Sequence, residues 1–147
     1  MGQNGKKPMT EASKDAAQAL INALPHAKAL GMRFISSSEG EVTMEMPYDP
    51  RFIGDPATGV IHGGAVYALL DTCSGAAVFA HPDHKGATAT IDLRVDYMRP
   101  AAPGQPIRAT ATCYNMTRTV AFVRAIATDT RDDKPVAMAS GTFVTGI

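Results

Sequence analysis

A chain of 147 residues, 45% of them hydrophobic, carries enough apolar material for the core of one ordinary domain and is short for two. Its 14 basic residues balance 14 acidic ones with no basic block beyond Lys6-Lys7, which argues against nucleic acid as a partner. The two cysteines show no metal-ligand spacing, and neither a secretory signal nor an apolar run of membrane-spanning length is visible, so a reduced, cytoplasmic protein that does not enter a membrane is expected.

Residues 1–9 read as a disordered tail and residues 10–147 as a single domain. Thr10-Glu11-Ala12-Ser13 offers a helix start, and Ala16, Ala17, Leu20, Ile21 and Leu24 form a helical stripe before Pro25, suited to packing on a sheet edge. Residues 30 to 47 divide around Ser38-Glu39-Gly40 into two strands of a hairpin, the second alternating Val42, Met44 and Met46 with Thr43 and Glu45. Residues 48 to 61, with Pro50, Gly54, Pro56 and Gly59, are a loop that delivers a helix start.

The helix that follows opens on His62-Gly63-Gly64 and is nearly all small or apolar to residue 80, yet it carries Asp71. A carboxylate on so apolar a helix must be paired, hydrogen-bonded or protonated. The helix N-terminus suits a ligand, because its first amides lack intrahelical partners, the dipole favours negative charge, and two glycines allow close approach. Asp71 lies seven residues after Gly64, roughly 10 Å along the axis, too far to act on a group held at its own N-terminus. A symmetric dimer resolves this, with Asp71 of one subunit facing the Gly63 and Gly64 amides of the other.

After His81-Pro82-Asp83-His84-Lys85-Gly86 comes a long strand in which Ala89, Ile91, Leu93, Val95 and Tyr97 alternate against Thr90, Asp92, Arg94 and Asp96. Strands at about 107–116, 120–128 and 136–144 complete the chain, the last after the Asp132-Asp133-Lys134-Pro135 turn. Hairpin-length links between these strands imply an α+β fold, an antiparallel sheet wrapped around one helix. His26, His62, His81 and His84 form no ligand set with carboxylates, so neither metal nor cofactor is expected, and Cys73 in its apolar setting reads as a packing residue.

His62-Gly63-Gly64, an acid nine residues after the histidine at Asp71, and the strand end Asp96-Tyr97-Met98-Arg99-Pro100-Ala101 together resemble the hotdog-fold thioesterases of the PaaI-like group, over residues 25 to 147. The resemblance implies an acyl-CoA thioesterase in which paired subunits fuse their sheets, with a homotetramer built from two such homodimers. It further implies that the amide of Gly63 or Gly64 polarises the thioester carbonyl and that Asp71 activates water or attacks directly. His62 would shape the site from the turn, and Thr90 would help hold the attacking water. Similar enzymes often carry Asn or Gln six residues before the histidine, where this chain has Pro56; neighbouring Asp55 is the substitute oxygen. The acyl group would lie against Phe52, Ile53, Val66 and Tyr67. Candidates for the CoA phosphates are Arg99, Arg124 and, foremost, Arg118 with Thr119 in a strand link where amides and guanidinium can converge. The competing reading is a non-catalytic acyl-CoA-binding module of the same fold, against which Asp71 argues.

Overall fold

The computed structural model describes residues 9–131 and 134–147. The expected N-terminal tail, apart from Met9, and Asp132-Asp133 of the last turn lie outside the described residues. Among the described residues, three α-helices, α1 (Glu11–Asn22), α2 (Pro25–Ala29) and α3 (Gly63–Phe79), accompany eight strands. These are β1 (Arg33–Ser38), β2 (Glu41–Met46), β3 (Ile53–Asp55), β4 (Val60–Ile61), β5 (Ala89–Tyr97), β6 (Ile107–Met116), β7 (Val120–Thr128) and β8 (Ala137–Val144).

Thr10 caps α1 by accepting the Ser13 N–H at 3.1 Å. Pro25 ends the stripe as expected but also begins α2, a single turn that the apolar pattern does not announce; proline's fixed φ and missing N–H are harmless at a helix start. The loop of residues 48–61 contains a second unexpected feature, the short β3–β4 pair, with Ile53 opposite Ile61 and Asp55 opposite Val60. Gly59 turns between them with φ of 78°, where its carbonyl accepts the Tyr48 hydroxyl at 2.7 Å.

Six strands form one antiparallel sheet in the order β1-β2-β6-β7-β8-β5. Its concave face is made of small and flexible side chains, including Met44, Ala109, Ala111, Ala121, Val123 and Ala125, all buried. That smoothness lets α3, itself built from Gly, Ala, Ser, Cys and medium aliphatic residues, settle into the sheet with Leu69, Leu70, Cys73, Ala77 and Val78 fully buried. The Cys73 thiol donates to the Val42 and Ala109 carbonyls and is pushed up to about 12 by burial, which makes it a packing group and not a nucleophile. Val66, expected to touch an acyl chain, is 3% exposed and packs in this core.

One strand departs from its expected alternation. In β5, Thr90 pairs with Phe143 and Asp92 with Thr142, so Ile91 is an extra residue, a β-bulge. Phe143 faces the core, and Thr90 therefore shares the inward face with Leu93, Val95 and Tyr97, while Ile91 is left exposed. Gly141 makes the bulge possible, since a Cβ there would lie 2.2 Å from the Asp92 carbonyl oxygen.

Candidate active site

The turn into α3 is held by its own histidine. His62 is the N-cap residue, and its Nδ1 accepts the Gly64 N–H at 2.8 Å. An accepting Nδ1 carries no proton, so the neutral ring bears its hydrogen at Nε2, facing outward as a donor. The His62 N–H donates to the Phe52 carbonyl at 2.8 Å, tying the turn to the residue just before β3. Gly54 permits that approach, because a Cβ there would fall 2.8 Å from the His62 Cα.

Both glycines of the motif are required for room, since neither has positive φ. A Cβ on Gly64 would lie 2.9 Å from His62 Nδ1, and one on Gly63 would lie 3.3 Å from the Tyr97 ring. Tyr97 also donates its hydroxyl to the Gly63 carbonyl at 2.7 Å. Burial, reinforced by nearby Tyr67, holds the Tyr97 phenol above its ordinary range, so it remains a neutral donor. The Gly64 N–H is thus occupied, whereas the Gly63 N–H has no acceptor among the described residues. Of the two amides considered from sequence, Gly63 is the one left open at the positive end of the helix.

Asp71 stands eight residues further along α3, about 12 Å from Gly63 by helical rise. It is half-buried, and its Oδ1 accepts the Thr90 hydroxyl at 2.7 Å. The β5 bulge makes this contact by turning Thr90 inward. The other oxygen, Oδ2, has no partner among the described residues.

These groups open into different cavities. His62 and Gly64 border one of about 300 Å3, together with His26, Arg51, Phe52 and Ile53. Asp71 and Thr90 lie on the wall of another, about 560 Å3, between α1 and α3. A single chain therefore brings Asp71 to Thr90, and His62 to the two glycines, but does not unite the pairs.

The remaining candidates separate in the same way. Tyr67 is partly exposed and donates its hydroxyl to the Leu93 carbonyl at 2.6 Å, bracing α3 on β5. Asp55 closes its own loop, accepting the Ala57 N–H at 3.0 Å and the Thr58 hydroxyl at 2.7 Å, and Pro56 is exposed in the same turn. Arg99 is not available to a phosphate. Its guanidinium forms two hydrogen bonds of 2.8 Å with Asp129, whose side chain is fully buried, and also reaches the Lys134 carbonyl. Asp129 has no sequence signal that marks it as this partner; Arg99, above all, holds its carboxyl well below the usual carboxylate range. Arg124 stacks on Tyr114, 4.2 Å from the ring centroid, on the sheet face turned away from α3. Arg118 and Thr119 are exposed in the β6–β7 link, and the Arg118 side chain has no ion-pair partner among the described residues. Tyr97 and Gly54 join the site without having been expected there; alternation along β5 already points Tyr97 inward, whereas nothing in the sequence distinguishes Gly54 from a loop glycine. Among the described residues no cluster of three potential metal ligands occurs, and no helix is long and apolar enough to cross a membrane.

A six-stranded antiparallel sheet wrapped around one long helix, with a glycine turn at the helix start, is a hotdog fold. The thioesterase superfamily model matches residues 58–136, from the β3–β4 turn to the start of β8, and the chain belongs to that superfamily of hydrolases. Human acyl-coenzyme A thioesterase 13 is 28% identical over 131 residues, spanning 88% of this chain and 91% of that protein. A Pseudomonas aeruginosa crystal structure shares 35% identity and a TM-score of 0.78, covering 88% of this chain and 96% of that one. A mutant of the phenylacetic acid degradation protein PaaI of Thermus thermophilus shares 28% identity and a TM-score of 0.72, covering 82% of this chain and 98% of that one.

Proposed function

We propose that the protein hydrolyses acyl-CoA thioesters to a free acid and CoA at two composite sites of a symmetric dimer. The observation that carries this reading is that α3 presents an open amide at Gly63 and a carboxylate at Asp71 eight residues apart, about 12 Å along one helix, with the carboxylate held at Thr90 and not at the amide. A second copy can bring an acid to that amide. β5 supplies the means: of the sheet's two edge strands, β1 and β5, it is the longer at nine residues, with Ile91, Tyr97 and neighbouring Met98 exposed. A long edge strand with unpaired backbone groups is a template for pairing, and two β5 strands side by side would join the sheets and set the two α3 helices next to each other.

In that arrangement the Gly63 N–H of one subunit, reinforced by the helix dipole, stabilises negative charge developing on the thioester oxygen. Asp71 of the other subunit, steadied by Thr90, uses Oδ2 either to take a proton from water or to attack the carbonyl carbon. On either route the carbon–sulfur bond breaks, water supplies the new oxygen, and the thiolate gains a proton as CoA leaves. The His62 Nε2–H faces outward from the turn as a donor for that sulfur, and Arg118 with Thr119 offers exposed groups for CoA phosphate. The acyl-CoA relative described above supports the choice of thioester.

The test is thiol release from short, medium, long and aryl acyl-CoAs by the native protein and by Asp71→Asn. The expected result is a rate well above background for at least one substrate, falling about a hundredfold or more in the variant. Undiminished activity in the variant would overturn the assignment of Asp71. Binding of acyl-CoA without any hydrolysis would instead make the protein a binding module.

A further inference from the structure

The cavity that holds Asp71 is walled mainly by carbon and contains no Lys, Arg or His among the described residues. It follows α3 from Asp71 to Ala80, a run of about 13 Å by helical rise. α1 forms the facing wall with Ala17, Leu20, Ile21 and Leu24. At about 560 Å3 it falls within the roughly 300–1,000 Å3 usual for small-molecule sites.

α1 commits little of its apolar stripe to the core. Only Ile21 is buried, whereas Leu20 is 72% exposed and Leu24 is 50% exposed. Phe79, across the opening at the end of α3, is 57% exposed. Three large apolar side chains around one opening mark a surface awaiting an apolar occupant. The absence of cationic lining disfavours phosphates of CoA, and the lone carboxylate, at one end, is the reactive acid of the proposed chemistry.

We propose that this cavity takes an unbranched aliphatic acyl chain, with the carbonyl at Asp71 and the tail running between α1 and α3 toward Leu24 and Phe79. The proposal rests on the thioesterase reading for which end of the chain lies at Asp71. It moves the acyl group away from Phe52 and Ile53, which border the smaller, more polar cavity at the start of α3. α1 thereby becomes the element that sets chain length, since the wall opposite α3 belongs to it.

Two variants test the assignment: Ala17→Trp, which fills the cavity from α1, and Leu20→Gln, which makes its rim polar at a position too exposed to threaten folding. Two quantities are measured on native and variant full-length protein. One is the ratio of kcat/KM for dodecanoyl-CoA to that for hexanoyl-CoA, and the other is calorimetric binding of dodecanoate. The native protein should favour the longer ester and bind dodecanoate. Ala17→Trp should lower the ratio by about tenfold or more and abolish dodecanoate binding, with Leu20→Gln shifting both in the same direction. Unchanged ratio and binding in Leu20→Gln and in a folded Ala17→Trp would overturn the proposal; should Ala17→Trp fail to fold, Leu20→Gln alone decides. Robust but length-blind hydrolysis would remove the cavity assignment and leave the thioesterase standing. Dodecanoate binding that the variants weaken, in a protein that hydrolyses nothing, would keep the cavity and remove the thioesterase.

Discussion

Asp129 and Arg99 form the ion pair most removed from water among the described residues, and their value lies in what happens when one partner is lost. The Asp129 side chain is fully buried and accepts from the Arg99 guanidinium and from the Ala102 and Arg131 N–H groups. Replacing Asp129 with Asn should destabilise the protein by about 3 kcal/mol by leaving the Arg99 charge uncompensated, measured by urea unfolding. Because the native carboxyl sits well below its unfolded value, its contribution is present above the ordinary carboxylate range and is lost progressively as pH falls below it. Stability of Asp129→Asn should accordingly vary less than native stability across that window. At the other end of the fold, Tyr97→Phe removes the hydroxyl that fixes the Gly63 carbonyl and with it the direction of the open amide. A drop in kcat of about tenfold with little change in KM is expected; a change in KM alone would show that Tyr97 merely touches substrate.

At the scale of elements, the pattern of apolar residues is sufficient for α1, α3 and the six strands of the sheet, because each buries one face or a whole cylinder. It is insufficient for α2 and the β3–β4 pair, which are one turn and a few residues long and owe their existence to what they pack against. It also misassigns the first part of β5. Strict alternation puts Ile91 inward and Thr90 outward, and only the register against β8 reveals the reversal. Gly141 is the partner that tolerates the extra residue, so Gly141→Ala should force β5 and β8 apart. A fall in unfolding temperature of roughly 5 °C or more is expected, and an unchanged value would mean that the strands accommodate the methyl without opening. The site is legible where its chemistry is written in one segment, as in His62-Gly63-Gly64 and Asp71. It is not legible where a side chain is consumed by a distant partner, as Arg99 is by Asp129, since nothing local distinguishes a buried arginine from one awaiting phosphate.

At the scale of the whole molecule, the proposed pairing makes a prediction that no property of one subunit imitates. Asp71→Asn keeps the open amide, and Gly63→Val keeps the acid while crowding Tyr97; each should be inactive alone. Mixed in equal amounts after dissociation and reassociation, they should recover about a quarter of native activity, because half the dimers are mixed and each has one intact site. No recovery would place both groups in one chain. The separation of Gly63 and Asp71 along α3 has a further consequence for kinetics. A solitary subunit owns two incomplete halves, so under this pairing turnover per chain falls as dilution separates the partners, and the initial rate becomes second order in protein. A cell making little of such a chain would hold less activity than its copy number suggests, with expression level acting as a threshold instead of a dial.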